Sequence, residues 1–178
     1  MEIRSKLKYK VSKQEIKSLK EKILEIKGFN TQLALFILDQ INKIEPTKIN
    51  IVKSKIELID DENYGLFFVS LISQKDNIDI ELSLFRNEIE MFVADKVFSI
   101  YDSQTIKISN IQETLNNLKE WFVNNIFRET TSYKEHVKSD YFFYVKLNKI
   151  HKLKNINLLN HLFRKGVKKE EKYNSWID

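Results

Sequence analysis

Apolar and polar residues alternate with period two across much of the stretch from Tyr64 to Tyr101. Ile78, Ile80, Leu82 and Leu84 are separated by Asp79, Glu81 and Ser83. After Arg86-Asn87 the alternation resumes, with Ile89, Met91 and Val93 set against Glu88, Glu90 and Phe92. Period two marks a strand with one face buried. The stretch therefore predicts four short strands joined by tight turns. A two-residue loop at Arg86-Asn87 sets Leu84 against Ile89, Leu82 against Met91 and Ile80 against Val93. That register puts every apolar side chain on one face, and a one-residue slip would scatter them. A two-residue Asp95-Lys96 turn would add Phe98 and Ile100 to this face. An even loop near residues 74–77 would add Phe67, Val69 and Leu71. The opposite face would carry Asp79, Glu81, Phe85, Glu88, Glu90, Phe92 and Tyr101.

Period 3.6 appears on both sides of this stretch. Ser12 and Glu15 form a capping-box pattern ahead of Ile16, Leu19, Ile23 and Ile26, with Gly28 as the expected stop. A second helix starts near Asn30 or Thr31, runs along Leu33, Phe36, Ile37, Gln40, Ile41 and Ile44, and ends before Pro46. A third is capped by Ser109 or Asn110 and built on Ile111, Leu115, Leu118, Phe122 and Ile126, with Trp121 at its rim. Residues 1–10 suggest a short strand or arm. Residues 48–59 suggest a strand whose alternation breaks at Val52-Lys53, as at a bulge or on an edge. Residues 128–149 suggest a hairpin with Tyr141–Leu147 as an aromatic strand, and 155–165 a short helix. Helices and turn-linked strands in this order argue an α+β fold. We expect an antiparallel meander of about five strands packed against an N-terminal helical hairpin and a third helix. One domain over residues 1–178 is expected, with 167–178 a loosely ordered tail.

Composition removes several chemistries. The 178 residues contain no cysteine, three glycines and one proline. Thiolate nucleophiles, disulfides and cysteine-based zinc sites are excluded, and so are Gly-rich phosphate loops. The absence of cysteine suits a reducing cytoplasm. No apolar segment is long enough to span a bilayer, and no signal segment follows Met1, so the expectation is a cytoplasmic protein without a membrane partner. An abundance of Lys, Ile and Asn suggests an AT-rich bacterial genome. His136, His151 and His161 show no metal-ligand spacing. No nucleophile elbow or dinucleotide fingerprint occurs. The expectation is a non-enzyme without cofactor or metal.

Net charge is +5, and it is unevenly placed. Residues 1–27 hold nine basic and four acidic side chains, residues 61–101 three and eight, and residues 128–178 twelve and six. The chain is basic at both ends and acidic in the middle. Alternating acids such as Asp79 and Glu81, or Glu88 and Glu90, are ordinary on a solvated strand. They are also the spacing at which carboxylates could act together or meet a cationic partner. The basic C-terminal region interleaves Tyr133, Tyr141, Phe142, Phe143 and Tyr144 with Lys146, Lys149, Lys152 and Lys154. Lysines beside exposed aromatics can bind single-stranded nucleic acid, the alternative function. Lysine far outnumbers arginine, the better bidentate reader of phosphates and bases.

The stretch NIDIELSLFRNEIEMFVADKVFSIYD, set between an N-terminal helix pair and the helix IQETLNNLKEWFVNNIF, resembles the small bacterial immunity proteins of contact-dependent and other polymorphic toxin systems. The likeness is one of layout over residues 12–127 and transfers no individual residue. It implies a non-enzymatic inhibitor, without cofactor, that binds a cognate protein toxin through an acidic face. Asp79, Glu81, Phe85, Glu88, Glu90, Phe92 and Tyr101 are the candidate contact residues.

Overall fold

The computed structural model describes residues 5–26, 28–60, 65–74, 76–94, 102–133, 136–152 and 167–178. Over these the fold is α+β, with three α-helices and two antiparallel sheets. The larger sheet has six strands in chain order: β1 (Ser5–Lys10), β2 (Lys55–Asp60), β3 (Gly65–Leu71), β4 (Asp79–Leu84), β5 (Glu88–Ala94) and β6 (Asp102–Lys107). The smaller has four, in the order β10-β7-β8-β9: β7 (Ile126–Tyr133), β8 (His136–Lys146), β9 (Lys149–Lys152) and β10 (Val167–Tyr173). The helices are α1 (Lys13–Ile23), α2 (Thr31–Lys43) and α3 (Ile111–Val123).

The predicted register holds at the centre of the large sheet. Leu84 lies opposite Ile89, Leu82 opposite Met91 and Ile80 opposite Val93. Phe67, Val69 and Leu71 face Leu84, Leu82 and Ile80 in turn. All nine are buried. The next turn differs from expectation. Val93 pairs with Asp102, not with a residue two or three positions past an Asp95-Lys96 turn, so β5 and β6 are linked by the longer segment 95–101. Phe98, Ile100 and Tyr101 lie outside the described residues. The break at Val52-Lys53 is also not a bulge. The chain turns there, with the amides of Lys53 and Ser54 donating to the Asn50 carbonyl at 3.1 and 2.8 Å, and Val52 is 95% exposed. Nor is β2 an edge, because β1 pairs along all six of its residues.

Each helix starts where a side chain can accept an orphan amide. Ser12 Oγ accepts from the Glu15 amide at 3.3 Å, Asn30 Oδ1 from Leu33 at 3.1 Å and Asn110 Oδ1 from Glu113 at 3.2 Å. α1 ends at Ile23, before Gly28, which instead takes a positive φ of 112° in the loop to α2. The helical stripes, including Leu19, Leu33, Ile37, Leu118 and Phe122, meet the apolar sheet face in one core. Phe36 is only half-buried against it, and Trp121, expected at a rim, is buried.

The C-terminal region holds more structure than its polarity suggested. β7 and β8 form the expected hairpin, and β8 runs into a Leu147-Asn148 turn with both φ values positive. That combination is the two-residue turn that matches strand twist. Residues 167–173, read as part of a loose tail, pair along β7 as β10. Beyond it Trp176 is 1% exposed, and its Nε1 donates to the Ile78 carbonyl at 3.0 Å. The Asn77 side chain donates to the carbonyls of Asn174 and Ser175 at 3.1 and 2.8 Å. These contacts tie the chain's end to the start of β4. The helix expected over 155–165 lies outside the described residues.

Candidate functional site

The apolar face of the large sheet is consumed by the core. Side chains of its opposite, outer face take no part in that core. Strand pairing sets the outer residues in rows across the sheet. One row runs Lys8, Glu57, Phe68, Ser83, Glu90, Thr105. The next runs Lys10, Lys55, Ser70, Glu81, Phe92. Glu88 lies opposite Lys107 at the far end.

Six of the seven expected site residues fall on this face. Asp79, Glu81, Glu88, Glu90, Phe85 and Phe92 are half-buried, as on a sheet surface where neighbours shield one another. Tyr101 lies outside the described residues. The carboxylates nearest the middle are oriented by the fold. Ser70 Oγ donates to Glu81 Oε1 at 2.9 Å, and the Ser73 amide donates to Asp79 Oδ1 at 2.7 Å. Both hydrogen bonds hold a negative charge in place without neutralising it. A cleft of about 640 Å³ opens beside them, lined by Asn50, Lys53, Lys55, Ser70, Gln74, Asp79 and Glu81 among others.

Half of the outer face was missing from the expectation. Lys8, Lys10 and Lys55 stand on β1 and β2, so the face is acidic only over β4 and β5. Glu57, 7% exposed, is held between Lys8 Nζ at 3.6 Å and Lys55 Nζ at 3.3 Å. Lys55 also lies over the Phe68 ring, 5.2 Å from its centroid. The signal was present in the sequence: Lys6, Lys8 and Lys10 alternate with Leu7 and Tyr9. What that short run could not show was that it would pair beside β2.

Three aromatic residues of the C-terminal region serve packing. Phe142, Phe143 and Tyr144 are buried. Trp121 meets Tyr144 edge-on at 5.2 Å, and His151 stacks on the same ring at 4.9 Å. Base stacking needs open ring faces, and these three rings do not offer them. The side chains of Tyr133, Tyr141 and His136 are not described, and His161 lies outside the described residues. Among the described residues no group of three or more His, Cys, Asp or Glu could hold a metal ion. No described helix is long and apolar enough to cross a membrane.

Glu120 and Tyr144 are perturbed away from the outer face, where α3 meets β8. Burial pushes the Glu120 carboxyl up, but hydrogen bonds from Lys146 and Asn124 and the charges of Lys146 and Lys119 bring it below its ordinary value. Tyr144 is raised by burial and then by the charge of Glu120.

No protein-family model matches the chain, and neither a curated protein nor a solved structure does.

Proposed function

We propose that the chain is a non-enzymatic protein-binding inhibitor, most concretely an immunity protein that neutralises a cognate bacterial toxin in the cytoplasm. The observation behind this reading is the outer face of β4 and β5. Four carboxylates, Asp79, Glu81, Glu88 and Glu90, share it with Phe85 and Phe92, outside the core of the chain itself. Charge of one sign steers a cationic partner into contact, and half-buried aromatics supply the area that holds it. A toxin that attacks nucleic acid needs a cationic cleft, so an acidic ladder can block it by occupying the phosphate path.

The test is the double variant Glu88→Lys with Glu90→Lys, assayed against the toxin domain encoded beside it. Melting temperature, read at dilute chain concentration, should be unchanged. Affinity for the toxin should fall by about 2–5 kcal/mol, the usual result of breaking desolvated charge pairs at an interface, and protection of cells should be lost. Full protection by the variant would sink the reading. A markedly lower melting temperature would make the face an internal packing surface instead.

A further inference from the structure

We propose that the outer face of the six-stranded sheet is self-complementary and closes on a second copy of the chain. The observation is segregation of charge. Described cations Lys8, Lys10, Lys53 and Lys55 occupy the β1–β2 half, where the one described carboxylate of the face, Glu57, is buried between two of them. Described anions Asp79, Glu81, Glu88 and Glu90 occupy the β4–β5 half, with Lys107 beside Glu88. A surface that is merely solvated intersperses its signs. Here they lie on opposite sides of β3.

Symmetry turns this polarity into a geometry. Two sheets meeting face to face in a two-fold dimer must be related by an axis lying in the contact plane. An axis across the strands would lay β1 on its own copy and set lysine against lysine. An axis along the strands, running along β3, lays β1 and β2 on the partner's β5 and β4, with Lys8 over Glu90 and Lys55 over Glu81. Opposite charges then meet twice, once on each side of the axis. The strands of the two copies run nearly aligned, which is one of the two ways sheets stack. Near the axis Phe68 projects beside Ser70 and Ser83, so small side chains leave room for a ring from the other copy. The five strands that overlap, about 4.8 Å apart and about 20 Å long, give a plan area on the order of 500 Å² per copy. Over the two copies that is about 1,000 Å², the lower bound of a specific interface.

The dimer does not depend on the toxin reading, and it constrains it. Closing the face hides Glu81 and Glu90, so a cationic partner docking on them must separate the two copies and compete with self-association.

Sedimentation equilibrium tests the proposal with the purified chain alone. The wild type should show twice the 21.3 kDa chain mass at roughly 0.1 mM and revert to the single mass in about 1 M salt, where charges are screened beyond ~3 Å. Two double variants sharpen the test. Lys10→Glu with Lys53→Glu turns the β1–β2 half from net positive to net negative and leaves the Lys8–Glu57–Lys55 cluster untouched. Glu88→Lys with Glu90→Lys removes the net negative charge of the β4–β5 half. Each, shown folded by circular dichroism, should be monomeric alone, and an equimolar mixture should return to the dimer mass. A monomeric wild type overturns the proposal, as do variants that each dimerise normally or a mixture that stays monomeric. Loss of toxin binding by the lysine variant in a monomeric wild-type background would discard the dimer and keep the toxin reading.

Discussion

Leu82 shows how much one position can carry. It sits mid-strand on β4, between Val69 and Met91, and is fully buried. Leu82→Ala removes apolar contact and leaves a cavity that a close-packed core fills only in part. Urea denaturation should show a loss of about 2–5 kcal/mol, whereas Val52→Ala, at a turn open to water, should change little. Glu120 gives the residue scale its pH dependence. Its folded pKa lies below the ordinary 4.5, so the folded state binds that proton less tightly than the unfolded chain. Its contribution is complete above the ordinary value and is lost as pH falls through the lowered one. Lys146 Nζ stands 2.6 Å from Glu120 Oε1. Lys146→Met should therefore lower the melting temperature at about pH 7, and the gap from wild type should narrow on acidification to about pH 3. A gap that stays constant with pH would remove Glu120 from this account.

Strands and helices were legible in proportion to how far local pattern decides them. The β4–β5 hairpin was readable to the residue, because period two and a two-residue loop admit a single register that buries every apolar side chain. The three helix starts were readable because Ser12, Asn30 and Asn110 precede apolar stripes. β10 was not, and β1 was readable only as a strand or arm without its partner. Both are lysine-rich edge strands whose place is set by a partner strand far along the chain, and period alone does not name that partner. β9 was hidden by its turn. Leu147 has φ of 49° and no glycine signal, and branched residues are disfavoured in the left-handed region by about 1–2 kcal/mol. Its side chain is 86% exposed, so it gains little from packing. Leu147→Gly should accordingly raise stability by up to about 1 kcal/mol, relief of strain being partly offset by greater freedom of the unfolded chain. An unchanged or lower denaturation midpoint would mean that the turn is relaxed as it stands. The acidic half of the candidate site followed directly from the β4–β5 register, whereas its basic half depended on the unforeseen place of β1.

At the scale of the molecule, the two sheets share one core. Ile126, Phe142 and Tyr144 of the small sheet belong to the same buried cluster as the helices and the apolar face of the large one. Trp176 is the pin between them. It follows β10, lies in that cluster and donates to the Ile78 carbonyl at the start of β4. The next residue, Ile177, donates its amide to the Phe122 carbonyl of α3 at 2.9 Å. A contiguous core predicts one cooperative transition. The chain supplies its own reporter, since both of its tryptophans, Trp121 and Trp176, are buried in this shared region. Tryptophan emission should therefore report the shared region, and far-ultraviolet circular dichroism the strands and helices of the whole chain. Their urea midpoints should coincide in the wild type. Trp176→Ala removes a fully buried indole and a buried hydrogen bond, so stability should fall by about 3–5 kcal/mol. If the two sheets depend on one another, both signals will move together to the lower midpoint. If the emission of the remaining Trp121 shifts while the dichroism holds its wild-type midpoint, the small sheet unfolds by itself and the shared core is not a cooperative unit.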